Sequence, residues 1–214
     1  MVANPSTNFP PLENGDCKAS RRHRLTRIEF ERRYAAMPNL KKAELVEGVV
    51  YVPAALRFRN HAEPHSRIMT WLGVYQVFTL QVAIGDNPTI RLDLDNAPQP
   101  DAVLMINGGR LELVVEVAAS SAAYELHDKK RAYRRNGVPE YLVWRVYEGQ
   151  FDWFIPEAGK YIKQQAGANG ILRSQIFPGL WLAVDSLLSG EMQQVLKILQ
   201  QGLDSKAHQD FISD

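Results

Sequence analysis

A turn of Asn107, Gly108, Gly109 and Arg110 lies between two apolar runs, Asp101 to Ile106 and Leu111 to Val117. It constrains this chain more than any other local feature. Both central positions of a type I′ hairpin turn need φ above zero, which glycine adopts without steric penalty. A turn centred on Gly108 and Gly109 sets Asn107 opposite Arg110, Met105 opposite Glu112, and Asp101 opposite Glu116. Directly opposed side chains stand about 4.5–5.5 Å apart on one face of a sheet. Two carboxylates that close repel each other unless a cation lies between them. Glu116 is also embedded among Val114, Val115 and Val117, where an unpaired charge is expensive. The pair therefore suggests a metal site. A hard cation such as Mg²⁺ takes oxygen ligands, often from only one or two carboxylates, with water and substrate phosphate completing the shell. The competing reading is that both acids lie on a solvated sheet face.

A helix is expected next, from about Ala122 to Asn136, stopping at Gly137. Glu125, Lys129 and Tyr133 follow i, i+4, i+8 and share one of its faces. A short loop and one to two helical turns can fold Lys129 back toward Glu116, where an ammonium could orient water or neutralise charge on a phosphate. A plain Glu125–Lys129 surface pair, contributing about 0.3–0.5 kcal/mol, accounts for the same spacing. The helix also carries Lys129, Lys130, Arg131, Arg134 and Arg135. Such a patch suits contacts to a phosphate backbone, although charge runs are commonly just solvated helix faces. His61 and His65 are spaced to line one side of a helix, but no third nitrogen or sulfur ligand lies near them, so zinc is weakly supported.

The chain has 214 residues, 45% hydrophobic and 23% charged, enough for one sizeable core. With 25 Lys and Arg against 24 Asp and Glu, any attraction to nucleic acid must come from local clustering. A single cysteine, Cys17, excludes an internal disulfide and a cysteine-built zinc site, and suits a reducing cytoplasm. Residues 1–25 read as a disordered lead-in without the apolar centre of a secretory signal. Residues 26–203 read as a single domain, and 204–214 as a polar tail. Thr26 and Glu29 have the spacing of a capping box. Ala43 to Val52 reads as a hairpin turning at Glu47-Gly48. A helix follows Pro64, strands are expected at Val82 to Ile84, Thr89 to Leu94 and Asp101 to Ile106, and a hairpin at Glu140 to Ile155. Two more short strands and a helix from Leu187 to Leu203 complete the expectation. Ile68 to Gly85 is uncharged and near membrane-span length, but its polar and small residues fit a buried helix leading into a strand. Hairpins with one strand-helix-strand passage indicate an α/β chain with a mixed sheet and helices packed on it.

Taken in order, Pro100-Asp101, Glu116-Val117, Lys129 with Tyr133, Gly137-Val138 and Glu140-Tyr141 resemble the large bacterial family of Uma-type endonuclease-like proteins. That family is placed in the PD-(D/E)XK nuclease superfamily. The resemblance runs from about Ala43 to Leu188 and includes Glu44 in Ala43-Glu44-Leu45-Val46-Glu47-Gly48, His65, and the turn Phe177-Pro178-Gly179-Leu180. It implies a restriction-endonuclease-like core, a central mixed β-sheet flanked by α-helices, with additional hairpins. It implies Asp101 and Glu116 as Mg²⁺ ligands, with Mn²⁺ able to substitute, Lys129 as catalytic lysine, and Glu44 and His65 as accessory residues. The superfamily's usual lysine position, two residues after the second acid, holds Ala118 here, so that role passes to the helix, where Lys130 adjoins Lys129. The loop after Glu116 reads Ala118-Ala119-Ser120-Ser121 rather than serine-proline-serine.

The function implied is Mg²⁺-dependent endonucleolytic hydrolysis of phosphodiester bonds in DNA, with Lys130, Arg131, Arg134 and Arg135 against the backbone. The alternative is a catalytically inactive nucleic-acid-binding or dimerisation module on the same fold. A homodimer suits cleavage of both strands. No membrane association and no small organic cofactor are expected.

Overall fold

Thr26 caps the first helix as its spacing predicts, its hydroxyl accepting the Glu29 N–H at 3.4 Å. The structure is a computed structural model that describes residues 24–52, 58–118, 125–167 and 169–213. These form two compact units, the smaller from residues before 55 together with 89–99 and the larger from 55–88 and 100–214, where the sequence suggested one domain from 26 to 203. In the smaller unit helix α1 (Arg27–Ala35) buries Phe30. Strands β1 (Glu44–Val46) and β2 (Val49–Tyr51) pair antiparallel through Glu47 and Gly48, both at positive φ. Thr89 to Leu94 departs from expectation and forms no strand. Asp93 Oδ1 instead accepts from the Asp95 N–H and the Asn96 amide, and such local bonds divert a backbone from a ladder. The segment folds back on itself through Ile90 N–H to Pro98 O and Leu92 N–H to Asn96 O.

The larger unit is built on a six-stranded mixed sheet in the order β3-β4-β5-β6-β7-β8. Its strands are β3 (Val82–Asp86), β4 (Ala102–Ile106), β5 (Leu111–Ala118), β6 (Glu140–Arg145), β7 (Gln150–Glu157) and β8 (Lys160–Lys163). Only β5 and β6 run parallel, because a helical segment connects them. The expected α/β architecture is therefore present, with one local difference at the β4–β5 turn. Asn107 (φ 51°) and Gly108 (φ 62°) are its central residues, with Gly109 N–H bonded to Ile106 O at 3.0 Å. Asparagine tolerates the left-handed region well enough to take the first position. Met105 pairs with Leu111 but Leu104 pairs with Leu113, so Glu112 is an extra residue in a bulge. Beyond it Val103 meets Val114 and Ala102 meets Val115, which is the register read from the sequence.

Strand alternation divides the two faces. Ala102, Leu104, Leu113, Val115, Val117, Leu142 and Trp144 point into the main core. Helix α2 (Glu63–Val77) packs there with Ile68, Trp71, Leu72 and Tyr75. Its continuation into β3 accounts for the uncharged run, and among the described residues no helix is long and apolar enough to cross a membrane. Trp71 donates to Trp181 O and Tyr75 to Pro178 O, each at 3.0 Å. Strands β9 (Ile171–Arg173) and β10 (Trp181–Ala183) pair antiparallel. The expected single C-terminal helix is two, α4 (Val184–Ser189) and α5 (Met192–Leu203), separated at left-handed Gly190. Residues 204–214, read as a polar tail, instead supply helix α6 (Lys206–Ser213). His208 anchors it, buried with Nδ1 at 2.9 Å from Leu203 O and Nε2 at 3.0 Å from Thr79 Oγ1. Phe211 packs against the main core beside it, and its carbonyl accepts from the Gln81 amide at 2.6 Å.

Candidate active site

The other sheet face carries the candidate acids. Glu116, Val143 and Asp152 form one rung across β5, β6 and β7, and Val114, Tyr141 and Phe154 the next. A π-helical turn, Glu125–Lys129, leads into helix α3 (Lys130–Arg135), which buries Ala132 and Tyr133. The i, i+4 spacing turns Lys129 and Tyr133 toward the sheet, and both reach Glu116. Lys129 Nζ lies 2.8 Å from Glu116 Oε2 and the Tyr133 hydroxyl donates to Oε1 at 3.0 Å. Glu116 and Lys129 are each 2% exposed, so Lys129 is no surface residue. The side chain of Glu125 and the loop residues Ala119, Ser120 and Ser121 lie outside the described residues.

Asp101 stands at the start of β4, 3% exposed, with its N–H bonded to Val115 O at 3.1 Å. That bond continues the ladder and puts Asp101 beside Glu116, on the same face. Asp101 Oδ2 accepts the Val117 N–H at 2.7 Å, and Oδ1 is 3.1 Å from His61 Nε2. The Asp101 carbonyl oxygen lies 3.1 Å from His65 Nε2, which is also 3.2 Å from Asp86 Oδ1. His61 Nδ1 is buried without a hydrogen-bond partner. The two histidines thus serve Asp101 rather than zinc, one at its carboxylate and one at its backbone. On sequence alone His61 stands out only as a zinc candidate. Its spacing from His65 is the available signal, since it puts both rings on one side of the segment entering α2.

The basic helix splits by face. Lys129 is turned to the acid, whereas Lys130 Nζ sits 3.4 Å over the Phe154 ring, a cation–π contact, and burial lowers its pKa. Of the two lysines, the structure brings Lys129 to Glu116. Arg131, Arg134 and Arg135 are exposed. Arg134 donates to Gly159 O at 2.6 Å and Arg131 pairs with Asp128 at 3.4 Å. Glu44 belongs to the smaller unit, where its Oε2 accepts the Gln99 N–H at 3.0 Å. Asp152, a further acid on the Glu116 face, is neutralised by Arg145 at 2.8 Å and Lys163 at 2.5 Å. Among the described residues no group of three or more His, Cys, Asp and Glu side chains is arranged to hold a metal ion. Asp101 and Glu116 nonetheless fit a Mg²⁺-type site by donor chemistry. They are hard oxygen donors on adjacent strands, and each carboxylate has about four lone-pair sites.

A second buried acid lies on the core face. Glu140 is fully buried and accepts from the Ser174 hydroxyl and the Gln175 N–H, each at 2.7 Å. Burial pushes its pKa up from 4.5 to about 7. A carboxyl raised in the folded state favours folding at low pH, and that advantage is lost as pH rises from about 4.5 through 7. The loss amounts to about 3 kcal/mol in all. Urea denaturation across this range should show the decline, and Glu140→Gln should flatten it. The variant should also lose a bond, because Ser174 Oγ already accepts from Ile176 N–H and Phe177 N–H and cannot serve an amide donor. An unchanged slope in Glu140→Gln would refute the assignment.

A family model described as "Uma2: Putative restriction endonuclease" matches residues 28–185. The chain also resembles a solved structure described as a "putative nuclease belonging to DUF820" from Anabaena variabilis, with a TM-score of 0.58 at 11% identity. That match covers 74% of this chain and 96% of the other, and at such low identity it is a likeness of fold. No curated protein matches in sequence.

Proposed function

The chain belongs to the Uma2 family, and from that membership we propose that it is a metal-dependent nuclease hydrolysing phosphodiester bonds in DNA. The observation that carries the proposal is the buried Glu116 carboxylate, held by Lys129 and Tyr133 on the sheet face it shares with Asp101. Asp101 and Glu116 would hold Mg²⁺ or Mn²⁺. Such an ion supplies Lewis acidity at the phosphoryl oxygen and a water of lowered pKa. The chain's own groups orient and balance charge. Val117 N–H and His61 fix the plane of the Asp101 carboxylate. Lys129, beside Glu116, would stabilise negative charge growing on the phosphoryl group, while Tyr133 orients the Glu116 carboxylate.

The test is nicking of supercoiled plasmid by purified protein in Mg²⁺ or Mn²⁺. The expected result is relaxed plasmid, lost on addition of EDTA; intact plasmid with both ions would refute the nuclease reading for duplex DNA. One observation favours a second reading, an inactive nucleic-acid-binding module. Lys129 already neutralises Glu116 from within the fold, so the acid is stable without a metal. That module would bind DNA equally well with and without EDTA and nick nothing.

A further inference from the structure

An open groove of about 500 Å³ is lined by His127, Lys130, Arg131, Arg134, Lys160 and Tyr161. Its four Lys and Arg residues stand out in a chain whose net charge is +1. On the helical side, His127, Lys130, Arg131 and Arg134 follow the spacing of three and four that puts residues on one face. Strand β8 supplies Lys160 and Tyr161, which the sequence does not mark as basic-surface partners of the helix. The floor is rigid. Tyr161 stacks with Tyr141 and Phe154 at 6.1 and 6.4 Å between ring centroids, and its hydroxyl is tied to Val138 O at 2.5 Å. Lys130 lies over Phe154, while the two arginines keep donors to spare. Arg134 spends one of its five donors on Gly159 O, and the contact of Arg131 with Asp128 is a long one, 3.4 Å.

The groove's position relative to Glu116 follows from strand spacing. Phe154 on β7 and Tyr161 on β8 lie on the same sheet face as Glu116 on β5, two and three strands away. Phe154 and Tyr161 also lie two and four residues further along the strands than the Glu116 rung, so at about 4.8 Å per strand and 3.3 Å per residue the displacement is roughly 12–20 Å. A nucleic-acid strand advances about 3.4 Å per nucleotide. We propose that this groove binds the phosphate backbone of the nucleic-acid strand, about four to six nucleotides from the bond held at Asp101 and Glu116. The placement of that bond rests on the nuclease reading; the binding itself does not. The groove offers charge and hydrogen-bond donors but no insertion into a base stack, so it positions the strand without reading its sequence.

Fluorescence anisotropy in EDTA tests the binding apart from any cleavage. The probe is a fluorescein-labelled twelve-nucleotide strand, titrated with the full chain over a KCl series. Arg131→Glu combined with Lys160→Glu alters two exposed positions and should weaken binding by roughly 10-fold or more, with the slope of log K against log salt shallower by about 1.5 to 2. The matched pair Lys197→Glu and Lys206→Glu makes the same change in net charge on α5 and α6 and should leave affinity within a factor of about two. Unchanged affinity in the groove variant, or an equal loss in the control, would overturn the proposal. So would a mononucleotide that binds as tightly as the strand, since the site would then serve a free phosphate ester. Circular dichroism of each variant confirms folding. Groove-dependent binding with no nicking would leave this proposal standing while the nuclease reading failed, and nicking unaffected by the groove variant would do the reverse.

Discussion

Lys129→Met is expected to lose about 3–5 kcal/mol of stability, the range for breaking a buried ion pair by removing one partner. Glu116 would lose its countercharge in a site where it is 2% exposed, and a carboxylate so placed must take up a proton or draw in water. Methionine fills nearly the same volume as the lysine stem, so most of the change reports the charge. A double-mutant cycle isolates it. Adding Glu116→Leu to Lys129→Met removes the stranded acid and should recover at least half of the loss, as replacing both partners of a buried pair by apolar groups often does. Urea denaturation of the four proteins is the measurement. A loss below about 1 kcal/mol for Lys129→Met would mean that the pair behaves as an exposed one.

The second large effect concerns catalysis and uses Asp101→Asn. If Asp101 holds the metal, nicking should fall roughly 10³-fold, about 4 kcal/mol of transition-state stabilisation, while the urea midpoint moves little. The fold tolerates the amide for a specific reason. The carbonyl oxygen of the introduced amide can still accept the Val117 N–H, as Oδ2 of Asp101 does. The amide NH₂ would then face His61 Nε2, which can become the acceptor by moving its proton to Nδ1, the nitrogen that has no partner. Glu116→Gln can likewise turn its amide to the Tyr133 hydroxyl, but it removes the charge that balances the buried Lys129 ammonium. Asp101→Asn therefore separates chemistry from folding more cleanly. Full activity in that variant would remove Asp101 from the metal site.

Most of the sheet was legible because its signals are local. Alternation, the glycine-containing turns and the i, i+4 pair of Lys129 and Tyr133 each depend on a few neighbouring residues. Asp101 and Glu116 are neighbours, as the hairpin register predicts, although that register places the turn one residue late. The bulge at Glu112 accounts for this, and a bulge has no reliable sequence mark when its extra residue is not glycine. His61 and the β8 side of the basic groove were not legible, since nothing near them in sequence indicates what they face. Thr89 to Leu94 misled for the opposite reason, its strand-like alternation being overridden by the side chain of Asp93. Helix α6 was missed because its anchors face residues distant in sequence, His208 bonding Thr79 and the Phe211 carbonyl accepting from Gln81.

The two faces of the larger sheet also differ in how far along the chain their partners lie. The acid face is closed by contacts of shorter range: Asp101 to Val117 spans 16 residues, Glu116 to Lys129 13, Glu116 to Tyr133 17, and His65 to Asp101 36. On the apolar face Trp71 bonds Trp181 across 110 residues and Tyr75 bonds Pro178 across 103. Loop-closure entropy rises with the logarithm of loop length, and long-range pairing slows folding. The catalytic candidates are thus gathered by the cheap, low-contact-order half of the topology. The slow half is the tryptophan-rich core, so tryptophan fluorescence in a refolding experiment would follow mainly the closure of the face opposite Asp101 and Glu116.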